Sequence, residues 1–236
     1  MKTPGLARKV LTWLLIVGGI LLALHLVFQY LNLSFDQKQG QVYEISNRLD
    51  MDDEVSVPTW FSQFLLISIA LAAWLASRFE AHTGRRKAWR LIALIGLLFS
   101  IDEVGGAHEF VLQSAHLIYY GEVAPTSVLN AWWLILPVVA VAATWLLWWL
   151  WRILPKRTVW LFMLAGAIYL AGAIGFEVGG IDFNKASFGY QGLAIGVEEG
   201  LEMLGAIVAL YAIIDYMETH LGGRLSGLRK ALAKES

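Results

Sequence analysis

Residues 10–33 of the chain read VLTWLLIVGGILLALHLVFQYLNL, an apolar run that contains no charged residue. A bilayer core of ~30 Å is crossed by ~20 apolar residues in a helix. The run is longer than the apolar core of a signal peptide, and no small-residue cleavage site follows it. We therefore expect a retained transmembrane helix from Lys9 to Leu33.

The rest of the chain repeats this pattern. Of its 236 residues, 58% are apolar, which is far above the average for soluble domains. Five more segments are long and apolar enough to span a bilayer: Thr59 to Phe79, Lys87 to Tyr119, Asn130 to Trp151, Thr158 to Ile181, and Phe188 to Met217. The sequence thus predicts an all-α polytopic membrane protein, with six transmembrane helices in residues 1–219.

The basic residues indicate the orientation of these helices. Fifteen of the eighteen Lys and Arg residues fall on one side of the predicted membrane, and only Lys38, Arg48 and Lys185 fall on the other. Because basic loops stay in the cytoplasm, we expect both termini there and a multi-pass location in the inner (plasma) membrane. No basic face suited to nucleic acid is present.

Residues 220–236 form a second predicted unit, a basic cytoplasmic tail. A Gly222-Gly223 pair predicts a hinge before it. The tail is amphipathic and basic, so we expect it to lie on the inner leaflet and to take no part in chemistry.

Seven carboxylates lie inside the predicted helices, and no Lys or Arg accompanies them at that depth: Asp102, Glu103, Glu109, Glu177, Glu198, Glu199 and Glu202. Each ionised acid at the bilayer centre costs roughly 2.5–3.5 kcal/mol, so seven would cost on the order of 20 kcal/mol without compensation. Protons, shared protons or bound cations must therefore neutralise them.

Helix geometry predicts that these acids converge. A rise of ~1.5 Å per residue places most of them between the midplane and the outer surface. Asp102, Glu109 and His116 are spaced by seven and so form one stripe, which Gly105 and Gly106 leave open for a close neighbour. A second stripe on the sixth helix is formed by Gln191, Glu198, Glu202 and Gly205, with Glu199 beside Glu202.

Three other polar or small positions in the helices are interpreted as structural. Gly196 and Gly200 form a small-xxx-small pair off the acidic stripe, which is typical of packing against another helix. His25 reaches a similar depth in the first helix but stands alone, so we expect a hydrogen-bonded core histidine rather than a ligand.

Carboxylates and imidazole from several helices of a bundle are the ligands of di-iron and di-manganese proteins. The chain has no cysteine, so thiolate ligands are excluded. It also lacks Glu-x-x-His, since His108 follows Glu103 by five residues. Iron or manganese is favoured, and zinc, magnesium or calcium is also compatible. The predicted ligands are Asp102, Glu103, His108, Glu109, Glu177, Glu198, Glu199 and Glu202.

Two motifs carry a resemblance to a known group of proteins. Ser100-Ile101-Asp102-Glu103 continues to His108-Glu109, and Glu198-Glu199-Gly200-Leu201-Glu202-Met203 follows late in the chain. These stretches resemble the Ser-Leu-Asp-Glu-x4-His-Glu and Glu-Glu-x-Leu-Glu-Met motifs of a group of uncharacterised bacterial multi-pass membrane proteins. The resemblance covers about a tenth of the chain; it pairs the two motifs and implies no activity.

The leading functional hypothesis is a metal-dependent membrane enzyme of the di-iron type, acting on a lipid or other hydrophobic substrate that enters laterally. It would be an oxidoreductase, or a hydrolase in which the ions activate water. The alternative is a cation- or proton-coupled transporter or channel. Against transport, the inner halves of the acid-bearing helices are mostly apolar. A structural partner subunit would leave the acids without a role unless a partner helix supplied Arg or Lys.

Overall fold

The computed structural model describes residues 5–35, 40–53, 55–122, 136–175 and 188–223. Within these ranges every regular element is helical, which confirms the predicted all-α class. The helices are α1 (Leu6–Phe35), α2 (Gln41–Arg48), α3 (Val57–Phe79), α4 (Thr83–Gly105), α5 (Ala107–Tyr120), α6 (Leu136–Ile153), α7 (Lys156–Gly175) and α8 (Phe188–Tyr216), followed by a π-helical turn (Met217–Leu221).

Each predicted segment overlaps a described helix, and the third overlaps two, α4 and α5. Residues 130–135 and 176–181, at the start of the fourth and the end of the fifth predicted segments, lie outside the described residues. Helix α2 was not predicted, because it is short and polar and falls in a predicted loop. By length and composition two described helical segments are able to cross a membrane, Leu6–Leu31 and Val57–Phe79. This criterion does not confirm the predicted total of six.

Helix α8 is the central helix of the described bundle. It packs against α7, α1 and α3, and α3 packs in turn against α4. The contact between α7 and α8 is close because each helix contributes a glycine to it, Gly172 from α7 and Gly205 from α8. A Cβ on Gly172 would lie 2.6 Å from the Glu198 carbonyl oxygen, and a Cβ on Gly205 would lie 2.8 Å from that of Ala165. Two backbones therefore meet directly where α8 carries its acids.

The small-xxx-small pair of α8, Gly196 and Gly200, packs against α1, as predicted. A Cβ on Gly196 would lie 3.2 Å from the side chains of Leu22 and His25, and one on Gly200 would lie 3.5 Å from Leu22. Small residues on one face of α8 thus accommodate α1, while a different face carries the carboxylates.

The third predicted helix is not continuous, which corrects the prediction for Lys87 to Tyr119. Gly106 takes a left-handed conformation with φ of 50° and ψ of 40°, ends α4 and directly precedes α5. Glycine tolerates this conformation because it has no Cβ. The stripe of Asp102, Glu109 and His116 therefore spans two helices. Gly105 was expected to pack against a neighbouring helix, but a Cβ there would meet no described atom within 4 Å.

The start of α1 lies beside the end of α8. The backbone N–H groups of Leu6 and Ala7 donate to the two carboxylate oxygens of Glu218, at 3.1 and 3.0 Å. These are groups that an α-helix leaves without an internal partner, and a negative charge there also complements the helix dipole. Beyond them, Gly222 keeps helical angles at the predicted hinge, and residues 224–236 of the predicted tail lie outside the described residues.

A buried polar contact ties α3 to α8 at the same end of the bundle. Glu80, directly after α3, accepts hydrogen bonds from the Tyr216 hydroxyl and from the His82 backbone N–H. The Tyr216 ring also packs on Trp89, with 4.6 Å between ring centroids. Burial by itself would raise the pKa of Glu80, but these hydrogen bonds and the nearby Arg85 charge lower it overall. Glu80 thus holds a negative charge although its side chain is buried.

Candidate functional site

Three of the predicted acids line one small cavity inside the bundle. Its volume is about 10 Å³, which is enough for roughly one water molecule or one ion. The described residues that line it are Ser62, Leu66, Glu103, Tyr169, Glu199, Glu202, Met203 and Ala206. The cavity therefore joins α3, α4, α7 and α8, and all its charged side chains among these residues are acids.

The positions of the acids follow from the local backbone. Glu103 lies three residues before the break at Gly106, so it stands in the last turn of α4. Glu199 and Glu202 are spaced by three and therefore share a face of α8. Gly172 brings the backbone of α7 against Glu198 and Glu202, and Tyr169 lies one turn earlier on α7. Helix packing at a glycine thus places a phenol beside the carboxylates.

The electrostatics of the cavity are dominated by like charges. The charges of Glu103 and Glu202 both act on Glu199, and the Tyr169 hydroxyl is hydrogen-bonded to the Glu202 side chain. The Tyr169 ring is fixed by Phe99, whose ring meets it edge-on at a centroid distance of 5.9 Å. In the hydrocarbon core of a bilayer, three ionised acids would cost about 8–10 kcal/mol without compensation, so in a membrane they would need protons or a cation to balance them.

The remaining predicted ligands stand in two groups. Asp102 and Glu198 are described; they are adjacent in sequence to Glu103 and Glu199 and act on them electrostatically, but they do not line the cavity. The side chains of His108 and Glu109, and the whole of Glu177, lie outside the described residues. Their assignment as ligands stays a prediction.

Metal-binding geometry is not formed by the described side chains alone. In the part of the chain that the structure describes, no three His, Asp or Glu side chains form a group able to hold a metal ion. The three cavity acids share one space without forming a ready set of ligands. A bound cation would require small side-chain rotations or ligands from other positions.

His25 is buried and hydrogen-bonded, as predicted. Its Nε2 lies 3.0 Å from the Gly192 carbonyl oxygen on α8. Its Nδ1 accepts from the Met51 backbone N–H at 3.2 Å and also lies 3.2 Å from the Leu49 carbonyl oxygen. With no exposed surface, the ring fastens the loop between α2 and α3 to α1 and α8.

This loop brings in an acid that is not among the predicted ligands. The charge of Asp52 acts on Glu199, so the loop carboxylate lies near the cavity. Desolvation raises the pKa of Asp52, and the charge of Asp50 raises it further, whereas His25 acts in the opposite direction. His25 therefore positions a further acid above the cluster.

Sequence reasoning also missed Ser62 and Tyr169. Both are polar side chains in otherwise apolar segments, and that contrast is the only signal that marks them. His116, on the predicted stripe, instead lies 3.1 Å from the Glu122 backbone carbonyl oxygen through its Nδ1. It lies near the end of α5 and does not line the cavity.

Comparisons with known proteins leave the activity open but give the family. No protein of curated function matches the chain, and no solved structure matches it. The sequence profile of a domain of unknown function, DUF8692, matches residues 13–216. The match contains all three acids of the cavity and extends over most of the sequence. The chain therefore belongs to the DUF8692 family.

Proposed function

We propose that this chain is an integral membrane protein of six transmembrane helices that binds a divalent cation at the cavity of Glu103, Glu199 and Glu202. We further propose that it is a metal-dependent enzyme of the di-iron type whose substrate is a lipid or another hydrophobic molecule. Iron or manganese is the favoured ion, because the donors are oxygen-rich and cysteine is absent.

The observation that carries the proposal is the shared cavity. Acids from α4 and α8, 96 residues apart between Glu103 and Glu199, line one space of about 10 Å³. Apolar Leu66, Met203 and Ala206 line it as well. In a site of low dielectric, a cation is an effective way to balance such acids, and the size suits one ion. The second ion of a di-iron-type site would need ligands from the other predicted acids, such as Asp102 and Glu198.

The residues present define what each part of the site would do. Glu103, Glu199 and Glu202 would hold the ion. Iron or manganese would supply electron transfer for an oxidoreductase, and any of the candidate ions would lower the pKa of bound water for a hydrolase. The Tyr169 hydroxyl, hydrogen-bonded to Glu202, orients that carboxylate. A hydrophobic substrate would reach the cavity laterally between helices.

The six-helix topology has its own expected result. A reporter fused after Ser236 and one inserted near Asp52 should report opposite sides of the membrane, because the basic residues are split fifteen to three. Alkaline phosphatase and green fluorescent protein fusions measure this. Two reporters on one side would remove the argument that places the acids in the outer half of the bilayer.

One observation favours a second candidate, a cation-coupled transporter. Transporters often form their ion sites at discontinuous helices, and the break at Gly106 follows Glu103 by three residues. The packing below the site argues against a path inward. The side chains of Trp89, Ile213 and Tyr216 have no exposed surface and belong to one apolar core.

An uptake assay separates the two candidates. The enzyme hypothesis predicts that proteoliposomes containing the purified protein take up the bound cation no faster than protein-free liposomes. Radioactive manganese is a suitable tracer, and a Glu202→Gln variant in the same liposomes is the matched control. Uptake that depends on Glu202 would favour the transporter hypothesis over the enzyme hypothesis.

A further inference from the structure

A groove runs along the outward face of α6, away from the carboxylate cavity. It has a volume of about 480 Å³ and is lined by Ala140, Val141, Thr144, Trp145 and Trp148. Val141 and Trp145 are 71% and 61% exposed, so no described helix covers it. Eight residues of helix separate its ends, which corresponds to about 12 Å.

The interior of this groove is apolar in practice. Apart from the two tryptophan indoles, Thr144 is the only lining residue with a polar side-chain atom. The Thr144 hydroxyl donates to the Ala140 carbonyl oxygen of the same helix at 2.7 Å. Because this hydroxyl already has an acceptor, a ligand need not form a hydrogen bond with it. The groove therefore suits a hydrocarbon chain.

The positively charged side chain of Arg152 lies at one end of the groove. The guanidinium carbon of Arg152 lies 3.8 Å from the centroid of the Trp148 ring, which is one of the groove walls. Nearby, Arg157 is held by both carboxylate oxygens of Asp215, at 2.9 and 3.1 Å. In the described part of the chain, Arg152 has no such carboxylate partner. Its charge remains available to an external anion.

We propose that this groove binds an anionic phospholipid, with an acyl chain along α6 and the phosphate on Arg152. The basic end of the groove is the end that the charge distribution assigns to the cytoplasmic surface, where anionic headgroups attract Lys and Arg. Lys156 lies at the same level, with its Nζ 5.7 Å from the Trp151 ring. The proposal rests on the proposed membrane topology and is independent of the cation site.

A lipid fits this groove better than a second copy of the chain. Copies of a membrane protein insert in the same direction, so a facing α6 would bring its own Arg152 to the same level. Two such guanidinium groups would repel each other. A phosphate at that position neutralises the charge instead.

Native mass spectrometry of the detergent-purified full chain, titrated with phosphatidylglycerol or phosphatidylcholine, tests the proposal. We expect one retained phosphatidylglycerol, bound more tightly than phosphatidylcholine. Arg152→Gln should weaken phosphatidylglycerol binding about fivefold, the equivalent of ~1 kcal/mol for one interfacial cation. Val141→Trp should fill the groove and weaken both lipids, without loss of thermal stability because Val141 faces outward.

Arg78→Gln is the matched control, because Arg78 also lies over an exposed tryptophan, 5.9 Å from the ring of Trp74. It should leave lipid binding unchanged. Equal effects of Arg78→Gln and Arg152→Gln would overturn the proposal, as would unchanged binding in Val141→Trp. Equal affinity for the two lipids would reduce the site to an unspecific acyl-chain contact, and a dimer free of lipid would assign the groove to a second copy.

Discussion

Replacing Gly172 with alanine is expected to lower the free energy of unfolding by about 1–3 kcal/mol, the range for overpacked interiors. The new Cβ would lie 2.6 Å from the Glu198 carbonyl oxygen and 3.1 Å from Cγ of Glu202. A backbone oxygen inside a helix cannot move aside as a flexible side chain can. Helices α7 and α8 must then separate, and the cavity acids of α8 must shift with them. Thermal unfolding in detergent measures the effect.

Gly166→Ala on the same helix is the matched control. A Cβ at Gly166 would meet no described atom within 4 Å. Alanine is favoured over glycine in a helix by up to about 1 kcal/mol, so this variant should be neutral or more stable. If Gly166→Ala and Gly172→Ala unfolded at the same temperature, the close approach of α7 and α8 would be wrong.

The second large effect is expected at Glu199. A cation present at about 100 times its dissociation constant stabilises the folded protein by about 2.7 kcal/mol. Glu199→Gln keeps the volume of the side chain but removes a charge and a good ligand, so most of this stabilisation should disappear. The measurement is thermal stability with manganese and with a chelator. Wild-type protein should respond to the difference, and the variant should not.

Glu122→Gln serves as the control, because Glu122 is exposed and its backbone carbonyl, which accepts from His116, is unchanged. It should respond to metal as the wild type does. Asp102→Asn and Glu198→Gln are expected to resemble Glu199→Gln if these neighbours are also ligands. If the cavity holds only protons, the result reverses. A neutral amide is then tolerated or even stabilising, since no charge has to be buried.

The helices could be predicted from the sequence because their signal is long and local. An uncharged run such as residues 10–33 has one stable arrangement in a bilayer, and its length fixes the helix within a few residues. Helix α2 gives no such signal. It is short, and what holds it beside α1 is the loop contact of His25 with Leu49 and Met51, which depends on the folded structure.

The break at Gly106 could not be predicted, for a different reason. A glycine pair in an apolar helix is equally compatible with close helix packing and with a left-handed residue. The prediction chose packing for Gly105 and Gly106, whereas in the structure no described atom lies within 4 Å of a Cβ at Gly105, and Gly106 has a φ of 50°. Only the positions of neighbouring helices decide between these outcomes.

Three of the predicted acids meet at the candidate cavity, but this arrangement could not be predicted from the sequence. Burial without a basic partner identified the acids, since that argument needs only depth and charge. Which acids meet depends on the α7–α8 crossing, and this crossing selects Glu199 and Glu202 over Glu198 for the cavity wall. The same crossing places Tyr169 at the cavity wall, and its residue type alone does not indicate this position.

The metal content of wild-type protein, purified in detergent and measured by elemental mass spectrometry, tests the central claim most directly. We expect about one or two divalent cations per chain, as in carboxylate-bridged sites of helical bundles. The content should fall in Glu199→Gln and remain in Glu122→Gln. Metal-free wild-type protein that is fully stable and unaffected by added metal would contradict the claim and would indicate that the acids of the cavity share protons.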